Sequence, residues 1–164
     1  MRTRSIAGAA LMTLICGAAV PAVADEIIVT VESVQALDRI DPGGIGADFF
    51  AQVTIGGTVF RSPVIRRAAV IRPDWTFSKR VRPGTHSVRL ELFDKDALSK
   101  NDQIDINRLD GKYHLDFRVK TYPCTVLDFA EPYACRGGAV TITRAGRENK
   151  SAEIRFSVQV RPGR

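Results

Sequence analysis

The chain has 164 residues, 24 of them Lys or Arg and 18 Asp or Glu, for a formal net charge of +6. Removing an expected leader of 24 residues leaves 140 residues and a charge of +4, because Arg2 and Arg4 leave with it. A chain of that size buries about two-thirds of its surface as one domain, and it has no room for two independent ones.

The leader is read from three features: Arg2 and Arg4 at the start, an apolar run from Ile6 to Val20, and the small-x-small pattern Ala22-Val23-Ala24. The run is too short and too rich in Ala and Gly for a membrane span, and no later stretch approaches membrane length. Ile15 stands before Cys16, where a lipoprotein signal has a small residue. The expectation is cleavage after Ala24 and a soluble, exported product, periplasmic or secreted, beginning at Asp25.

From there the chain is a succession of short segments with period-2 hydrophobicity. Ile27, Val29 and Val31 open it, and the residues from Val88 to Leu92, Leu115 to Val119 and Ile154 to Val160 repeat the pattern. Such alternation predicts strands with one face on a core and one in water. Strands are expected near 26–36, 48–55, 58–65, 74–82, 86–93, 103–107, 113–121, 139–144 and 152–161. Turn signals separate them: Gly43-Gly44, Gly56-Gly57, Pro83-Gly84, Asp110-Gly111, Gly137-Gly138 and Gly146. No stretch of ten or more residues carries a helical period. Many short antiparallel strands imply an all-β sandwich or barrel.

The loop at 37–48 is acidic, with Asp38, Asp41 and Asp48, and holds the apolar Ile45. Between Arg61 and Arg82 the basic residues Arg61, Arg66, Arg67, Arg72, Lys79, Arg80 and Arg82 face only Asp74 in sequence. On a sandwich that segment is either a concave positive strip, each charge worth about 1 kcal/mol near an anionic bilayer, or a solvated face that keeps the protein soluble. Aromatics are not interleaved with these charges, which argues against nucleic acid as a partner.

The most informative stretch is Asp94-Lys95-Asp96-Ala97-Leu98-Ser99-Lys100-Asn101-Asp102. Its carboxylates repel one another when held in one loop: two like charges about 4 Å apart cost about 4 kcal/mol at an effective dielectric near 20. A hard cation with oxygen coordination, Ca²⁺ above all, relieves that repulsion. The plain alternative is that Asp and Asn are ordinary turn residues. An EF-hand is excluded, because counting from Asp94 its fifth and sixth positions fall on Leu98 and Ser99, and the flanking period is strand. If the 37–48 and 94–102 loops open at one end of a sandwich, Asp41, Asp48, Asp94, Asp96 and Asp102 converge.

Cys124 and Cys135 remain after the leader is removed, and an even pair in an oxidising compartment reads as a structural disulfide. Their spacing does not fit a CxxC redox motif, and only His86 and His114 exist to complete a zinc site. Neither histidine sits in a nucleophile motif, so an enzyme is disfavoured.

Taken together, Asp48-Phe49-Phe50, Pro73-Asp74-Trp75-Thr76-Phe77 and the series Asp94, Asp96, Leu98, Ser99, Lys100, Asp102 resemble the C2 domain family, calcium- and phospholipid-binding β-sandwiches. The resemblance covers about residues 26–107 and suggests an exported bacterial C2-like protein, a single domain over 25–164 with an extra C-terminal strand pair. It implies that Asp41, Asp48, Asp94, Asp96 and Asp102 supply carboxylates to one or two Ca²⁺ ions, with Asp38, the Lys95 carbonyl, the Ser99 hydroxyl and Asp105 as weaker candidates. It also implies that Ile45 and Leu98 are loop tips that dip into lipid once the charge is cancelled; packing back onto the domain is the alternative. The family spaces its first-loop acids six apart, which here falls on Pro42, and it has Gly where this chain has Asp105. The functional expectation is a non-enzymatic calcium-binding module docking to an anionic membrane or a protein. The alternative is an exported interaction sandwich without a metal site.

Overall fold

The computed structural model describes residues 24–40, 46–96, 100–109 and 111–163. The strands in chain order are β1 (Asp25–Ala36), β2 (Ala47–Ile55), β3 (Thr58–Arg61), β4 (Ile65–Ala68), β5 (Val70–Ile71), β6 (Trp75–Val81), β7 (Thr85–Asp94), β8 (Asp102–Ile104), β9 (Leu115–Lys120), β10 (Thr125–Leu127), β11 (Tyr133–Ala134), β12 (Ala139–Ala145) and β13 (Ala152–Arg161). The described residues contain no helix. Residues 1–23 of the expected leader, and Asp41, Ile45, Leu98 and Ser99, lie outside the described residues.

Alternating apolar residues give each strand a face that must leave water, and two sheets meet over those faces. The smaller sheet runs β12-β13-β1, with β6 and β5 sharing the far edge of β1. The larger runs β11-β10-β9-β7-β2, with β3 and β4 sharing the outer edge of β2 and β8 pairing with the end of β7. The strand pairs of both sheets are antiparallel. Ile27, Val29 and Val31 of β1 join Phe49, Val53, Leu90, Leu92, Phe117, Ile154 and Phe156 in one buried cluster. Across the sandwich, the rings of Phe117 on β9 and Phe156 on β13 lie 5.7 Å apart. This is the expected all-β antiparallel sandwich.

The inward series of β1 runs Val29, Val31 and then Val34, which breaks strict alternation. A bulge resolves it: Val31 faces Phe156 and Ser33 faces Arg155, so Glu32 is the extra residue and Val34 turns back to the core. The strand expected at 58–65 is two strands, because Pro63 has no N–H to donate to a ladder. Ser62 covers the break: its N–H donates to the Ala51 carbonyl at 2.9 Å, and its Oγ accepts from the Ala51 N–H at 2.9 Å.

The C-terminal pair is integral to the sheet, since β13 lies against β1 for almost its whole length. Cys124 and Cys135 form the expected disulfide, with Cα atoms 5.3 Å apart, and it spans the β10–β11 hairpin. The short strands β5, β10 and β11 were not expected; at two or three residues each they show no readable period.

Candidate functional site

The adjacent strands β2, β7 and β8 bring their acidic residues to one end of the sandwich. Asp94, the last residue of β7, is opposite Phe49 of β2 on one side and Asp102 of β8 on the other. Asp48 precedes Phe49, and its N–H donates to Asp94 Oδ1 at 2.6 Å. The Lys95 N–H returns the contact to the Asp48 carbonyl at 2.9 Å. Asp94 is buried, while Asp48, Asp96 and Asp102 are half-buried. The described members of the expected set, Asp48, Asp94, Asp96 and Asp102, therefore share one end of the fold. Asp41 and Ser99 are outside the described residues.

Asp48, Asp94 and Asp102 are already engaged by the protein. Asp48 Oδ1 accepts from the Arg67 N–H at 3.0 Å, and the Arg66 guanidinium lies 4.0 Å from Asp48 Oδ2. The Lys150 ammonium, from the turn between β12 and β13, forms an ion pair with Asp102 Oδ2. That hydrogen bond raises the Lys150 pKa above its ordinary value; burial opposes it, and the negative fields of Asp102, Asp96 and Asp94 add to it. Among the described residues, no group of three or more His, Cys, Asp or Glu side chains is arranged to hold a metal ion. The donor set is all oxygen and chemically suited to a hard cation. In this structure the Lys150 ammonium takes one of those oxygens, Asp102 Oδ2.

Asp38 and Asp105, the weaker candidates, have structural work. Asp38 Oδ2 accepts from Ser151 Oγ at 2.6 Å and from the Ser151 N–H at 3.3 Å. Asp105 is 1% exposed; its Oδ1 accepts from the Asn107 N–H at 2.8 Å, and its Oδ2 from the Arg147 and Glu148 N–H groups at 2.8 and 2.9 Å. A carboxylate so saturated by backbone donors serves as a turn anchor. Gly146 is the residue that lets this anchor close: a Cβ there would collide with the Asp105 carbonyl oxygen.

The basic residues are divided between the edge strands of the two sheets. Arg61, Arg66 and Arg67 belong to β3 and β4 of the larger sheet, whereas Lys79 and Arg80 belong to β6 of the smaller, with Arg72 and Arg82 on the turns beside β5 and β6. Arg61 stacks on the Phe50 ring at 3.9 Å, and Lys79 is turned inward, donating to the Ile55 and Gly56 carbonyls at 3.1 and 2.7 Å. The expected tips Ile45 and Leu98 are outside the described residues; Leu37 and Leu109, on loops bonded to the β12–β13 turn or its partners, are exposed.

Sequence reasoning missed Lys150 and Ser151. The stretch Glu148-Asn149-Lys150-Ser151 reads as an ordinary polar turn. Only the pairing of β13 with β1 brings it beside the acidic loops.

No family model matches the chain, and no curated protein matches it. Solved structures do match in fold. A structure of a C2 domain superposes with a TM-score of 0.58 at 13% identity, covering 84% of this chain and 98% of that one. The calcium-bound pair of C2 domains from Extended-Synaptotagmin 2 matches with a TM-score of 0.52 at 14% identity, over 86% of this chain and 46% of that one. Human GIVD cytosolic phospholipase A2 matches with a TM-score of 0.58 at 12% identity over 86% of this chain, which spans only 17% of the phospholipase's length. The fold is that of C2 domains.

Proposed function

We propose that the chain is a non-enzymatic docking module whose acidic end takes Ca²⁺ weakly and, so neutralised, meets an anionic membrane or protein surface. The observation that supports it is the convergence of Asp48, Asp94, Asp96 and Asp102 on the ends of adjacent strands. One of the fold neighbours, Extended-Synaptotagmin 2, is known in a calcium-bound form. One or two ions would draw on those four residues, joined by Asp41 and by the oxygens of Lys95 and Ser99. The exposed Leu37, whose N–H donates to the Ser151 carbonyl beside Lys150, supplies modest apolar contact at that end.

Chemistry is not what the described histidines are arranged for. A His86 ring nitrogen meets the Arg82 carbonyl at 2.8 Å, and His114 pairs with Asp116 at 3.1 Å. The Cys124–Cys135 bridge supports an oxidising compartment, consistent with an exported protein.

Millimolar Ca²⁺ is expected to raise the thermal midpoint of the purified chain. The dissociation constant should fall around 10⁻⁴–10⁻³ M, as in other extracellular calcium modules. At a hundredfold excess over that constant, linkage adds about 2.7 kcal/mol. Asp94→Asn combined with Asp96→Asn should abolish the shift. Sedimentation with phosphatidylserine vesicles tests the membrane limb. Identical melting curves in Ca²⁺ and in chelator would favour the second reading, an interaction sandwich without a metal site, which the Lys150–Asp102 pair supports.

A further inference from the structure

We infer that Lys150 is the resident cation of the acidic end: its ammonium holds the Asp102 carboxylate without metal, and a divalent ion takes that carboxylate only by displacing it. The turn that carries Lys150 is fixed on both sides. Lys150 has a φ of 61°, a left-handed conformation that a side-chain-bearing residue adopts only when its surroundings impose it. Its carbonyl accepts from the Asp105 N–H at 3.0 Å, and the Ala152 N–H donates to the Asp105 carbonyl at 2.9 Å. Before it, the Arg147 and Glu148 N–H groups are bound to the Asp105 carboxylate; after it, Ser151 is bound to Asp38. The side chain thus starts from a clamped backbone and ends on Asp102 Oδ2.

An ammonium and a hard divalent ion seek the same carboxylate oxygens, and the two charges repel when placed a few ångströms apart. While the ammonium holds Asp102 Oδ2, that carboxylate is a poorer ligand for a second cation brought beside it. Its pairing with Lys150 therefore lowers the affinity of this end for Ca²⁺ and leaves the loops partly neutralised in its absence. The inference rests on the proposed calcium reading for its metal arm, but its metal-free arm stands apart.

The test compares the purified chain with Lys150→Met, which keeps the aliphatic stem and removes the charge. Calcium titration by calorimetry should show at least about a tenfold gain in affinity for the variant, the scale set by removing a charge a few ångströms from the ion. Equal or weaker binding by Lys150→Met overturns the displacement. If neither protein binds Ca²⁺, the calcium reading fails and the metal-free arm decides. In chelator, Lys150→Met should melt below the wild type, and Asp102→Asn added to it should restore part of the loss. Additive effects of the two substitutions on the midpoint would then overturn the inference.

Discussion

The backbone N–H of Asp48 donates to Oδ1 of Asp94 across 2.6 Å, joining the entrance of β2 to the exit of β7. This bond makes Asp94 part of the frame as well as part of the charge cluster. Asp94→Ala leaves the Asp48 N–H without its acceptor next to a buried position. Such an orphaned donor costs about 1–3 kcal/mol. Asp94→Asn keeps a carbonyl oxygen for that bond and should cost clearly less. Urea unfolding of the two variants in chelator separates them; equal losses would mean that the bond is not what the carboxylate contributes to stability.

Asp105 is the more demanding acid. Three backbone N–H groups converge on its two oxygens, from Asn107, Arg147 and Glu148, in a site with 1% exposure. In Asp105→Asn one oxygen becomes an NH₂ group, which must face a donor on whichever side it lies. The expected loss is about 2–4 kcal/mol, since hydrogen bonds to a charged acceptor are lost and a donor clash replaces them. A chemical-denaturation midpoint unchanged from wild type would contradict the anchor role.

Gly146 tests the same junction from the other side. An added Cβ would run into the Asp105 carbonyl oxygen and lie 2.6 Å from the Asp105 carbonyl carbon, both atoms of a backbone held by β-bridge pairing to Ser151. Neither can retreat without pulling that bridge apart. Gly146→Ala should therefore cost at least about 2 kcal/mol, within the range for overpacked buried sites. Its thermal midpoint should fall by more than that of Gly57→Ala, where nothing lies within 4 Å of the new Cβ and only the left-handed φ of 81° opposes the substitution.

What could be read from the chain beforehand follows from range. Alternation over five or more residues identified β1, β7, β9 and β13, because a half-buried strand imposes its period on its own sequence. The convergence of Asp48 with Asp94, Asp96 and Asp102 was legible only as a condition, that the 37–48 and 94–102 loops open at one end, and the pairing of β7 with β2 and β8 meets it for these four. Lys150 was not. Its partner Asp102 is 48 residues away, and nothing in a polar turn tells which carboxylate it will meet. The same holds for Asp105, whose carboxylate reads as one more member of an acidic series until the β12–β13 turn closes over it. The division of the basic segment between two sheets was hidden for a related reason: β3 and β4 stay with β2, while β5 and β6 cross to β1.

The disulfide is the cheapest feature to remove cleanly. Cys124 and Cys135, 11 residues apart, close the β10–β11 hairpin at the edge of the larger sheet, where the Cys135 N–H also donates to the Cys124 carbonyl at 3.0 Å. Replacing both by Ser should lower stability by about 2–4 kcal/mol, mostly by freeing the unfolded chain. The far end of the sandwich should keep its structure, so any calcium-induced shift in melting should survive in the double variant. Loss of that shift would mean that the edge hairpin and the acidic end are coupled.

On the outer face of the larger sheet, Asp116 accepts from Arg89 Nε at 2.7 Å and Nη2 at 3.1 Å, and it pairs with His114. The hydrogen bond from Arg89 is the main reason its pKa is lowered from the ordinary 3.8; burial opposes the shift, and the charges of Arg89 and His114 assist it. A carboxylate with a depressed folded-state pKa adds stability above its unfolded value and loses it as the pH falls through the folded one. The contribution of Asp116 should therefore be complete well above pH 3.8 and fade below it. The Asp116 side chain is 49% exposed, so solvent screening keeps its worth to at most about 1 kcal/mol. The difference in unfolding free energy between wild type and Asp116→Asn, followed from neutral pH into acid, should shrink toward zero below that range. A gap that stays constant through acidification would assign the loss to packing of the Arg89 stem rather than to the ion pair.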